Sequence, residues 1–256
     1  MKYKNLSDLQ KIQTLNLTPK EIRNYLREES FFKSPEEHEP GRRQHSEIID
    51  QILKFQIKKI ENDLVVRGKI ANPYGNYKTW GPELHQGVQS WVGLDPRTLQ
   101  TPYATLLEFL KALDFKDGQK FIDFGAAYGR VGILVGALYP QSFFVGYEIA
   151  KERVDEGNRI FQLYNFKNAT LEHTNLADQK FEYPEADAYF IYDYGQEKHI
   201  TYTLEQLRSM AKKREIKIVA RGNITKHCLK DFTDFYLINE QLGIYKMEAT
   251  EVASKI

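Results

Sequence analysis

Two apolar rhythms alternate along the second half of the chain. Phe121-Ile-Asp-Phe124, residues 142–148, 169–173, 186–195 and 216–220 are short apolar runs of the kind that form buried strands of a parallel sheet. Between them, apolar positions recur at helical spacing. Tyr103, Leu106, Leu107, Leu110 and Leu113 share one side of a segment entered through Thr101 and Pro102. Residues 131–139 are apolar enough to pack on a sheet and stop at Pro140. Residues 151–164 offer Val154, Ile160, Phe161 and Tyr164 to the same sheet, and Thr203-Leu-Glu-Gln206 reads as the capping box of a further helix. Residues 232–238 and 244–248 pair as a closing hairpin. Strand alternating with helix predicts an α/β fold, a doubly wound sheet with ligands at its carboxyl edge.

The first hundred residues follow another pattern and are predicted to be an α+β extension. Thr18-Pro19-Lys20-Glu21 is a capping box with proline in the first turn, opening a helix to about residue 28. Ser34-Pro35-Glu36-Glu37 repeats that start signal, and Pro40-Gly41 is expected to end the helix almost at once. Ile48, Ile49, Ile52, Phe55 and Ile60 give residues 44–60 one buried helical face. Residues 64–71 alternate like a strand, 72–76 form a turn, and 77–80 return as a second strand. Residues 81–96, rich in Gly and Pro with Trp91, read as a packed loop. This extension, 1–100, either walls the site and selects the substrate or serves as a structural cap. The histidines and carboxylates of residues 36–45 lack the spacing of metal ligands on one helix face and read as a solvated connection.

The chemistry concentrates after the first strand of the second unit, 101–256. In Phe121-Ile-Asp-Phe-Gly-Ala-Ala-Tyr-Gly-Arg130, Asp123 ends the strand, and Gly125, Ala127 and Gly129 follow at alternate positions. Small residues there let the backbone turn sharply and lie bare against a ligand. A dinucleotide fingerprint needs Gly-x-Gly-x-x-Gly, and Gly-Ala-Ala-Tyr-Gly fails at its second and third glycines. The next strand ends in Glu148, an acid able to accept from both hydroxyls of a ribose. Asp-x-Gly-x-Ala-x-Gly followed by Gly-Tyr-Glu resembles the class I, seven-strand methyltransferases that use S-adenosylmethionine (SAM). The resemblance implies a Rossmann-like sheet of seven strands with a C-terminal antiparallel hairpin. It implies SAM as the cofactor, with Asp123, Gly125, Ala127, Tyr128, Gly129 and Glu148 around it.

Within that class the chain resembles the non-SET histone lysine methyltransferases, the disruptor-of-telomeric-silencing family. Thr101 stands at a helix start at the interval before Asp123 that the family's Gly-Glu-Thr segment occupies, with Gln100 replacing the glutamate. This implies a cofactor-binding role for Thr101, beside the simpler one of a helix cap. Asn175, or Asp178, occupies the place that such enzymes use for the adenine amino group. Phe190-Ile-Tyr-Asp-Tyr194 resembles the family's Phe-Val-Asn-Asn-Phe run, which implies that Tyr192, Asp193 and Tyr194 are catalytic or line the acceptor channel. The absence of Asn/Asp-Pro-Pro-Tyr speaks against a nucleobase acceptor.

Composition narrows the partners. A net charge of +1 announces no field for nucleic acid, although Arg42-Arg43 and Lys212-Lys213-Arg214 offer a candidate phosphate track. Apolar stretches are too short to span a bilayer, so no membrane partner is expected. The lone Cys228 forms no intrachain disulfide, and with no secretory signal legible the expectation is a cytoplasmic enzyme. The leading expectation is a protein lysine methyltransferase with a protein substrate. The alternatives are a small-molecule or RNA methyltransferase, or a non-catalytic nucleotide-binding protein of the same fold.

Overall fold

A computed structural model describes residues 6–71, 99–178 and 180–250. The expected turn at 72–76, the return strand at 77–80 and the packed loop at 81–96 lie outside the described residues. The apolar runs of the second half become β1 (Lys120–Phe124), β2 (Phe143–Glu148), β3 (Ala169–His173), β4 (Ala188–Tyr192) and β5 (Ile216–Arg221). The closing hairpin is β6 (Tyr236–Asn239) with β7 (Ile244–Met247). Together they make one seven-stranded sheet in the order β3-β2-β1-β4-β5-β7-β6. The pairs from β3 through β5 are parallel, while β7 runs antiparallel to β5 and to β6. This is the doubly wound α/β sheet expected above.

The chain leaves β1 toward β2 on one side and reaches β4 on the other. That reversal opens a crevice at the carboxyl ends of β1 and β4. Four of the five residues in each of β1 and β4 are buried, as strands covered on both faces must be. One face carries α6 (Tyr103–Ala112), α7 (Arg130–Leu138) and α8 (Lys151–Leu163); Leu106, Phe109, Leu134 and Phe161 pack there against Phe121, Phe144 and Phe190. The other carries α9 (Glu197–Ala211), whose Ile200, Leu204, Leu207 and Ala211 meet Ile122, Tyr189 and Ile218.

Residues 6–71 are helical wherever they are regular: α1 (Leu6–Thr14), α2 (Pro19–Leu26), α3 (Glu29–Phe32), α4 (Glu39–Ile52) and α5 (Ile57–Ala71). Their apolar sides join the core of the sheet face, with Leu9, Leu26, Phe31, Phe32 and Ile49 buried against Tyr103 and its neighbours. The Thr18–Glu21 capping box forms as expected. Four local expectations are overturned. The predicted strand at 64–71 is part of α5. Leu64 is 1% exposed and Val66 53%; a strand would put both on one face, whereas a helix separates them. Pro40-Gly41 does not end a helix but starts α4, because a first-turn proline surrenders no intrahelical bond. His38 caps that start, its Nδ1 accepting from the Gly41 N–H at 3.0 Å. His45 is then buried in α4 rather than solvated, and its pKa falls to about 4 because burial penalises the cation. Thr203 does not open a helix either. α9 starts at Glu197 behind Gln196, and Thr203 lies buried one turn and a half inside it.

Candidate active site

At the end of β1 the chain turns through Gly125, at φ 85°, and Ala127, at φ 48°. The N–H groups of Gly125 and Ala126 both donate to the Tyr147 carbonyl, at 2.9 and 3.0 Å, which fastens the turn to β2. A Cβ on Gly125 would lie 2.5 Å from that of Tyr194, so glycine is required for space as well as for φ. Glu148, at the tip of β2, completes the fastening. Its Oε2 accepts from the Ala127 N–H and its Oε1 from the Ala150 N–H, each at 2.9 Å. A carboxylate has about four lone-pair positions, so two remain for a ligand.

The turn and Glu148 form one side of a cleft that opens to solvent. Of the residues singled out from the sequence, Thr101, Asp123, Gly125, Ala127, Glu148, Tyr192 and Tyr194 line it. Asp123 is buried there, and burial first, then the charge of Glu148, hold its carboxyl well above the ordinary carboxylate range.

Thr101 is not the cap of α6. The helix begins behind Pro102 without a side-chain cap, and the buried Thr101 Oγ1 has no hydrogen-bond partner among the described residues. Gln100 beside it is likewise buried in the cleft wall with Oε1 and Nε2 unpartnered. Buried polar atoms of this kind are ordinarily bonded, by protein, water or a ligand.

Five expected residues stand elsewhere. Tyr128 is fully buried behind the turn, packed with Ile57, and its hydroxyl donates to Glu61 at 2.7 Å. Gly129 supports the turn from behind as the left-handed residue that starts α7. Asn175 is exposed and spends its Oδ1 on the Ala177 N–H at 3.0 Å, while Thr174, Leu176 and Ala177 line the cleft in its place. Asp178 turns its Oδ1 to the Lys180 N–H in the same manner. Asp193 caps α10 (Asn223–Cys228): Oδ1 accepts from the Thr225 N–H and Oγ1 at 2.8 and 2.9 Å, and Oδ2 from the Ile224 N–H at 3.3 Å. A carboxylate committed to a helix end is a positioned cap rather than a base. Tyr194 shows the cleft only part of its side chain. Its hydroxyl donates to the His199 carbonyl at 3.1 Å and meets Thr203 Oγ1 in the core, where burial raises its pKa and keeps the phenol protonated.

The sequence reading also missed two buried ion pairs whose arginines, Arg130 and Arg153, line the cleft. Arg130, first residue of α7, pairs with Asp50 of α4, and its Nη1 donates to the Thr101 carbonyl at 3.1 Å. Tyr103 adds its hydroxyl to Asp50 at 3.0 Å. Arg153 of α8 pairs with Glu61 of α5 and lies 3.6 Å from Glu148. Arg130 after the glycine turn was a visible signal; nothing local marks Asp50 or Glu61. Among the described residues, no group of three or more His, Cys, Asp or Glu is arranged to hold a metal, and no helix is long and apolar enough to cross a membrane.

No protein-family profile matches the chain. An uncharacterized protein of Rickettsia prowazekii (strain Madrid E) is 31% identical over 72 residues, a match that spans 26% of this chain and 13% of that protein. Among solved structures, TrmN from Thermus thermophilus aligns with a TM-score of 0.47 at 15% identity, over 59% of this chain and 49% of that one. A precorrin-6y C5,15-methyltransferase from Geobacter metallireducens aligns with a TM-score of 0.46 at 19% identity, over 56% and 78%. PKMT2 from Rickettsia typhi, solved in complex with AdoHcy, aligns with a TM-score of 0.35 at 17% identity, over 44% and 24%.

Proposed function

We propose that the cleft binds SAM and that the protein transfers its methyl group to the side-chain nitrogen of a protein lysine. One observation carries this reading: a glycine turn after β1 faces the Glu148 carboxylate at the tip of β2, at the switch point of the sheet. The residues present fit the ligand. Gln100 and Thr101 hold orphaned polar atoms in the wall, and SAM has a charged amino-acid end able to bond them. Asp123, ionised by a neighbouring ammonium, complements the same end. Glu148 keeps lone pairs for the ribose hydroxyls, and Thr174, Leu176 and Ala177 are placed beside it for the base.

SAM supplies an electrophilic methyl on a sulfonium, whose leaving group departs neutral. The protein's part is then alignment and the exclusion of water. Phe190 and Tyr192, at the end of β4, give the cleft an aromatic wall next to Asp123. A lysine must attack as the neutral amine although its free pKa is near 10.4. An apolar wall disfavours the ammonium and lowers that pKa, and aromatic faces accommodate the methylated cation afterwards. Tyr192 is the side chain we assign to this wall, with Asp193 and Tyr194 holding α10 and α9 in place behind it.

The test is transfer of labelled methyl from SAM into lysate proteins, followed by acid hydrolysis. Label recovered in methylated lysine supports the reading. Label recovered only in RNA or in small molecules overturns the lysine acceptor while leaving the donor in place.

A further inference from the structure

Arg221 closes β5 directly opposite Tyr192 in the β4–β5 register. Its guanidinium carbon lies 5.8 Å from the centre of the Tyr192 ring and 5.7 Å from that of Phe109. Phe109 follows Leu106 by one turn of α6, and both Leu106 and Tyr192 belong to the cleft wall. The half-buried Arg221 thus stands one strand over from Tyr192 at the carboxyl edge of the sheet, next to the cleft wall. Among the described residues it has two ring faces as neighbours and no carboxylate or hydrogen-bond acceptor. The carboxylate next along the chain from Tyr192, that of Asp193, points its oxygens at α10. Ring neighbours accept no strong hydrogen bond, so they leave the N–H donors of the guanidinium unused.

We propose that Arg221 is a specificity residue that reads a carboxylate on the acceptor, so that the preferred substrate is a lysine flanked by Asp or Glu. This deepens the lysine-methyltransferase reading and rests on it. The geometric complement of a guanidinium rim is a planar carboxylate held by two parallel bonds. Charge argues the same way. A cationic lysine entering beside Arg221 is repelled by it, and an acid adjacent to that lysine turns the repulsion into attraction. A phosphate track needs several cations in line, and the rings around Arg221 supply none. With the chain at net charge +1, an acidic peptide suits this wall better than a polyanion.

The experiment uses the full chain, labelled SAM and a degenerate peptide library centred on one lysine. Wild type should favour Asp or Glu beside the lysine over Asn or Gln by about tenfold in kcat/KM. In Arg221→Gln that ratio should collapse toward one, and in Arg221→Glu it should invert in favour of Lys or Arg neighbours. SAM affinity by calorimetry should stay at the wild-type value in both variants, which shows that they remain folded. Equal labelling of acidic and neutral peptides, or a preference that survives Arg221→Gln, overturns the proposal while lysine methylation stands. Absence of label from every peptide, with SAM bound, overturns the lysine reading and this proposal together. RNA labelled in place of peptides does the same.

Discussion

Arg153 Nε and Nη2 donate to the two carboxylate oxygens of Glu61 at 2.9 and 3.1 Å, a bidentate pair that joins α8 to α5. Both side chains are less than 5% exposed, and the same guanidinium lies 3.6 Å from Glu148 in the cleft. Tyr128, behind the glycine turn, donates to the same Glu61 Oε1 that accepts from Arg153 Nε. One carboxylate from the N-terminal helices therefore fixes both the turn and the neighbour of the acid assigned to the ribose. Removing one member of such a buried pair strands the other charge. Glu61→Gln should cost about 3–5 kcal/mol in urea unfolding. A loss within the ~0.5 kcal/mol typical of surface substitutions would show that the pair is unimportant to the fold.

Asp123 allows a pH test with a definite sign. Its carboxyl is held well above the ordinary range by burial and then by Glu148. The unliganded fold therefore keeps a proton that the unfolded chain has already released above about pH 3.9. Stability is lost as pH rises from that value through the raised pKa, and stays low above it. Asp123→Asn should remove this cost and raise Tm at neutral pH. The ammonium of SAM favours the ionised form, so wild-type affinity should increase with pH toward the raised pKa, whereas the variant should bind more weakly and without that slope. Scanning fluorimetry across pH, with and without SAM, reads both effects; a variant that is destabilised at neutral pH would contradict the assignment.

Glu148→Ala should weaken SAM binding at least tenfold, or ~1.4 kcal/mol, the scale of a lost hydrogen bond to a charged group. Calorimetry measures this directly. Unchanged affinity would remove Glu148 from the site and leave it as the fastener of the Ala127 and Ala150 N–H groups.

Asp193 separates a cap from a base. Asparagine keeps one acceptor, for the Thr225 N–H and hydroxyl, gives up the longer bond from the Ile224 N–H, and tolerates the positive φ of 38° at this position. Asp193→Asn should therefore cost no more than about 1 kcal/mol in stability and retain turnover. Asp193→Ala should lose about 1–2 kcal/mol through the cap and the strained backbone. Abolished turnover in a stable Asp193→Asn would restore the carboxylate to the chemistry.

What could be read from the sequence was local. The turn from Gly125 to Gly129 and the acid at Glu148 sit within one strand-turn-helix-strand unit, so periodicity and glycine placement locate them together. The helix at 57–71 was hidden because Leu64-Val-Val has the composition of a strand, and only burial against a neighbour decides which face exists. Asp50 meets Arg130 across 80 positions and Glu61 meets Arg153 across 92; neither spacing leaves a periodic trace. Asp193 was misread for a related reason. A strand-end acid beside the cleft looks the same in sequence whether it points at a ligand or at the N–H groups of a helix thirty residues further on.

Titration of the full chain with SAM in a calorimeter tests the central claim most directly. The account expects saturable one-to-one binding that competes with the demethylated product and is weakened at least tenfold by Glu148→Ala. No heat from either compound at millimolar concentration, in a chain shown to be folded, would contradict it.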